Sequence, residues 1–130
     1  MHIHSLYVLL GIAIASPGPV GGQPSAQVIA IELDSFKFTP STIAMTHGQS
    51  YVLRLTNLSE GGHDFAAPKF FSVARIAPGD SGRLEDGRVE VRGGQTLSIR
   101  LVAPAPGTYR VVCTHFLHST LGMKGRIVVT

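Results

Sequence analysis

One cysteine, Cys113, stands in the whole 130-residue chain. No internal disulfide is therefore available to staple the fold, and no cysteine near the start offers a lipid attachment point. Charge is also scarce. Only 15% of residues are Asp, Glu, Lys or Arg, while 44% are hydrophobic, a balance that excludes a disordered, charge-expanded chain. The eleven basic residues form no run, so nothing in them points to nucleic acid. The formal net charge of +3 is spread between Glu32 and Arg126, which allows at most a mild preference for acidic partners. Neither a heptad nor an internal repeat is visible. The first 31 residues have no charged side chain, and their apolar run, Leu6 to Ala15, is ten residues long, short of the roughly 20 that a membrane-spanning helix needs.

That run matches the apolar core of a secretory signal, with His2 and His4 where Lys or Arg is usual. Ser16 to Gln27 is rich in Pro, Gly and Ser, and cleavage fits after Ala15, Gly22 or Ala26. An uncleaved membrane anchor is the other reading. The chain is expected to divide into a signal peptide and leader over 1–26 and one exported domain over 27–130, periplasmic or otherwise outside the cytoplasm. A lone cysteine in an exported protein must be free, paired between chains, or bound to something.

From Gln27 onward short strands alternate with turns. Val28–Leu33, Phe36–Thr39, Thr42–Met45, Tyr51–Thr56, Arg88–Arg92, Leu97–Ala103, Thr108–Cys113 and Gly125–Thr130 read as strands. Tyr51, Leu53 and Leu55 alternate with Val52, Arg54 and Thr56, the period of two that marks a half-buried strand. Lys69 to Ile76 lacks a breaker and is expected to form one or two helical turns. Seven to eight short strands at this spacing predict an all-β Greek-key sandwich or barrel.

The chemistry concentrates in Cys113-Thr-His-Phe-Leu-His118-Ser-Thr-Leu-Gly-Met123-Lys-Gly125, a loop between two strands. A loop can turn several side chains toward one point, which a straight strand cannot, and Gly122 and Gly125 let the backbone fold over. Thiolate and thioether are soft donors and imidazole is intermediate, a set that favours copper over magnesium, calcium or manganese. Two His and one Cys with a weak axial Met is the donor set of blue-copper electron-transfer sites. The second imidazole has to come from elsewhere. His63, after the Gly61-Gly62 break, is the candidate, because loops of a sandwich gather at its ends.

From about Val28 to Thr130 the chain resembles the cupredoxins, the plastocyanin and azurin group. The resemblance rests on Phe38-Thr39-Pro40-Ser41-Thr42-Ile43, on Asn57 through His63-Asp64-Phe65, on Gly107-Thr108-Tyr109, and above all on the Cys-x4-His-x4-Met loop. It implies one copper ion per chain, held by His63, Cys113, His118 and Met123. Two departures stand out. Phe116-Leu117 replaces the Pro-Gly that often precedes the loop histidine, and Asp64 stands where Asn is common. A carboxylate at Asp64 cannot donate to sulfur, although its backbone N–H can. His115 reads as a residue beside the site, and His47 as a solvated turn histidine. Phe116, Leu117 and Pro68 are expected to form an apolar patch for a partner, and Leu121 to pack in the core.

The function this implies is a one-electron carrier between redox partners, monomeric and not an enzyme. The alternative is a periplasmic copper chaperone or resistance protein that uses the same four ligands and hands copper to an acceptor protein. A zinc module would leave Met123 unused. A binuclear copper centre would need a second cysteine, and a multicopper oxidase several more paired histidines.

Overall fold

Alternation of apolar and polar side chains sets most of the strands. The computed structural model describes residues 25–130, so all but the last two residues of the expected leader lie outside the described residues. The strands are β1 (Gln27–Asp34), β2 (Lys37–Thr39), β3 (Thr42–Met45), β4 (Ser50–Asn57), β5 (His63–Ala66), β6 (Arg75–Ile76), β7 (Arg88–Val91), β8 (Thr96–Val102), β9 (Gly107–Val112) and β10 (Lys124–Val129). One short helix, α1 (Pro68–Val73), lies between β5 and β6. In β4 the burial of Tyr51, Leu53, Leu55 and Asn57 follows the period of two. The strands form two five-stranded sheets, ordered β2-β1-β4-β8-β6 and β3-β10-β9-β5-β7. Each sheet holds one parallel pair, β1 with β4 and β3 with β10. Leu33, Leu53, Leu55 and Ile99 of the first sheet and Val89, Val91, Val111 and Ile127 of the second belong to one buried cluster. The result is an open β-sandwich and not a closed barrel.

Among the described residues ten strands replace the expected seven to eight, and both additions have a physical reason. β5 is buried at all four positions, so it shows no alternation, because α1 and the Cys113–Met123 loop cover the face that would otherwise meet water. β6 is only two residues long and takes its place by pairing with β8. The expected helical segment is correspondingly shorter. Pro68 sits in the first turn of α1, where its fixed φ and missing N–H cost nothing. The chain then leaves the helix at Ala74, which is extended. Phe70 and Phe71 anchor α1 in the core, with the Phe70 ring 5.5 Å from that of Tyr109. Past β6, buried Asp80 accepts hydrogen bonds from the Arg100 backbone N–H and Nε, at 3.0 and 2.9 Å. These bonds hold its carboxyl below the usual carboxylate range.

Two features aim the candidate residues. β5, β9 and β10 are neighbours in the second sheet, with Val112 paired to both Ala66 and Lys124. The start of β5, the end of β9 and the start of β10 therefore share one end of the sandwich. The turn that crosses from β4 to β5 is knit by one buried side chain. Asn57 Nδ2 donates to the carbonyls of Gly61 (2.8 Å) and Val91 (2.9 Å), and its Oδ1 accepts from the N–H and hydroxyl of Ser59. His63 emerges directly from that turn.

Candidate metal centre

His63 is the first residue of β5, and Cys113 follows the last residue of β9. His118 lies midway along the loop, and Met123 immediately precedes β10. The loop closes on itself: Cys113 N–H donates to the Met123 carbonyl at 3.1 Å, and Met123 N–H to the His118 carbonyl at 2.9 Å. Gly122 takes φ +105°, a conformation that favours glycine, whereas Gly125 is needed for space, since a Cβ there would meet the Ser41 carbonyl oxygen at 2.6 Å. His63, Cys113 and Met123 are buried, while His118 is half-exposed.

Three donor atoms converge. His63 Nδ1 and His118 Nδ1 are 3.1 Å apart, and they lie 3.8 and 3.5 Å from Cys113 Sγ. The point equidistant from all three is about 2.0 Å from each, close to the roughly 2.0–2.3 Å that nitrogen and thiolate donors keep from a first-row metal. The triangle therefore fits a trigonal ion of the two-imidazole, one-thiolate kind. Met123 is fully buried beside it and fixed by the backbone bonds above.

The electrostatics suit a cation. Burial, and after it the neighbouring His118 and His115 rings, push His63 below the ordinary histidine range, so its ring stays neutral and keeps a lone pair for a metal. Burial pushes the Cys113 thiol up, partly countered by backbone N–H groups of Asp64 and His115. Cys113 would hold a cation in the triangle as the thiolate, having given up that proton.

Asp64 does not donate to sulfur from its side chain, as its chemistry requires. Its backbone N–H lies 3.5 Å from Cys113 Sγ. Its carboxylate accepts from Thr114 N–H at 2.7 Å and from the Thr114 hydroxyl, so it pins the loop at the residue after Cys113. His115 stands beside the donors, its ring stacked on His118 at 5.5 Å and 20°. On the same imidazole the Phe36 ring packs edge-on at 5.0 Å, a contact from the β1–β2 turn that the sequence reading did not assign. His47 is exposed, but its Nδ1 also bonds the Pro104 carbonyl at 2.8 Å.

The apolar patch needs two corrections. Leu121 is 57% exposed and is not core, joining Phe116 (87%) and Leu117 (52%) on the loop surface. Pro68 belongs elsewhere: β5 is extended, so five residues carry the chain on the order of 15 Å from His63, and Pro68 lines a hollow with Lys69, Arg110 and Val112. Leu117 adopts φ +62°, the left-handed region, which explains why glycine is common at this point of similar loops. Leu117→Gly is expected to raise the melting temperature, since it removes a strain of roughly 1–2 kcal/mol at the loss of few contacts. Thermal denaturation of the metal-free protein checks this.

The sequence from residue 2 to 129 matches the family model of the cupredoxin-like domain. The chain belongs to the cupredoxin-like family. Solved structures agree in fold. The dithionite-reduced auracyanin of the photosynthetic bacterium Roseiflexus castenholzii superposes with a TM-score of 0.59 at 20% identity, covering 81% of this cupredoxin and 98% of that chain. Auracyanin A, a blue copper protein of Chloroflexus aurantiacus, gives 0.55 at 20% identity over 79% and 99%. The McoA multicopper oxidase of Aquifex aeolicus gives 0.63 at 16% identity, over 89% of this chain but only 32% of the oxidase. Among curated proteins none matches at the sequence level. The cofactor that family and donor set together support is a single copper ion.

Proposed function

We propose that this cupredoxin is an exported, monomeric one-electron carrier whose copper would be held by His63 Nδ1, Cys113 Sγ and His118 Nδ1, with Met123 as the fourth ligand. The observation that carries this reading is the donor triangle, already at ligand spacing in the polypeptide itself. Bound there, copper supplies one-electron chemistry between its cuprous and cupric states. The polypeptide supplies rigidity. β5, β9 and β10 fix three of the four donors, and Asn57 and Asp64 fix the turn and the loop that bear them. Ligands that move little between oxidation states keep the reorganisation cost of electron transfer low.

His118 is the route outward. Its half-exposed ring is bordered by Phe36, and Phe116, Leu117 and Leu121 lie exposed on the same loop. This apolar face suits brief contact with a redox partner. Asp64 and Glu90, two of the carboxylates near the donors, are both engaged by loop residues, and Asp34, which also acts on His63, accepts from the Ser35 N–H; this favours electron transfer over substrate turnover. Residues 1–26 act as the signal that exports the domain. Among the described residues, no helix is long and apolar enough to cross a membrane.

The deciding experiment is voltammetry of the copper-loaded protein beside a competition with a cuprous chelator. Reversible one-electron waves with copper retained over many cycles are expected. Irreversible waves with prompt loss of copper to the chelator would replace the carrier by a protein that delivers copper to an acceptor.

A further inference from the structure

Asp64 of β5 and Glu90 of β7 are direct partners in the antiparallel register, and like charges placed opposite one another repel. Two consecutive loop residues fall on this pair. Thr114 donates to Asp64, as described. His115 Nε2 lies 2.9 and 3.0 Å from the two oxygens of Glu90, and since a carboxylate only accepts, His115 is the donor. Beyond this point the loop has few anchors. Its backbone bonds from His118 N–H, Leu121 N–H and Gly122 N–H all end within the loop, on His115, Leu117 and Ser119.

The space for the contact is built in. A Cβ on Gly62 would stand 2.9 Å from Glu90 Oε1 and 3.3 Å from His115 Cε1. A bare backbone is therefore what lets the carboxylate and the imidazole meet there. The same His115 ring is stacked on His118, whose ring also meets the edge of Phe36. Sheet, carboxylate, His115 and His118 thus form one continuous chain of contacts.

We infer that Glu90 and His115 are positioning residues, a brace that ties the ligand loop to β7 and holds the His118 imidazole in its donor orientation. The inference rests on the copper-site reading above and deepens it. The pair itself is too exposed, with the Glu90 side chain 53% accessible, to hold the fold together. Its effect falls on the freedom of His118.

The test compares the full chain with Glu90→Ala, His115→Ala and Glu90→Gln, by amide hydrogen exchange without metal and by copper release to a chelator. In both alanine variants, exchange across residues 115–122 is expected to accelerate and copper to leave about tenfold faster, the scale typical of losing a partner that orients a ligand. Glu90→Gln keeps an accepting oxygen and is expected to stay near the parent. The metal-free melting temperature should hold throughout. If Glu90→Ala does not fold, Gly62→Ala displaces the same carboxylate from the other side and must give the same two changes. Unchanged exchange and release in the alanine variants would overturn the brace. So would an equal loss in Glu90→Gln, or a common fall in melting temperature. A parent that binds copper without needing Cys113 would overturn the copper-site reading instead, while the metal-free exchange still reads the brace.

Discussion

Replacing Cys113 by alanine abolishes the intense visible band expected of the copper-loaded protein. Cys113 is the sole cysteine, so no other residue can supply thiolate-to-copper charge transfer. The variant keeps two imidazoles 3.1 Å apart and a thioether, a weaker set that lacks any anionic donor. Loss of a partner that merely orients a ligand costs about 10–100-fold in affinity, so losing the thiolate itself is expected to exceed about a hundredfold. The fold should survive. Cys113 is fully buried, and trimming one sulfur from a packed core costs on the order of 1 kcal/mol. Absorption and copper titration read the first effect, and circular dichroism on heating reads the second. A band that persists in the variant would exclude Cys113 as ligand.

Three candidate ligands come from one short loop, which is why the sequence reveals them: the spacing Cys-x4-His-x4-Met is local and the donor chemistry is read from residue types. His63 is legible for a different reason, because the Gly61-Gly62 break marks where a strand ends and loops of a sandwich gather. Strands such as β4 and β8 announce themselves by alternation. β5 does not, since burial on both faces erases the period that would reveal it, and β6 is too short to show one. The contacts around the ligands are less legible still. Phe36 meets His118 across 82 positions of sequence, and Glu90 faces Asp64 only because β5 and β7 pair in one register. Neither Glu90 nor Phe36 carries a local signal. The bond from Thr114 to Asp64 is half legible: the departure from Asn is visible in the sequence, but its purpose appears only when the loop lies over β5.

Asp64 gives the second large effect, and two substitutions separate its two roles. As an acceptor it satisfies the backbone N–H and hydroxyl of Thr114. As a charge it sits one residue from His63. Asp64→Ala removes both roles. It leaves the Thr114 N–H without its protein partner and frees the loop at the residue next to Cys113. Copper release is expected to accelerate by about a hundredfold, with a broadened visible band from a mixture of ligand geometries. Asp64→Asn keeps the shape and one accepting oxygen, and the Thr114 hydroxyl can rotate to meet the amide. Here the loop should stay closed and the band sharp. The reduction potential rises instead, because a nearby negative charge favours the more positive cupric state and its removal favours the cuprous one. A unit charge several ångströms away at an effective dielectric near 20 is worth about 2 kcal/mol, on the order of 100 mV for a one-electron couple. Voltammetry of the two variants distinguishes the roles. A potential in Asp64→Asn equal to that of the parent would show that the charge is screened from the metal and that Asp64 acts through Thr114 alone.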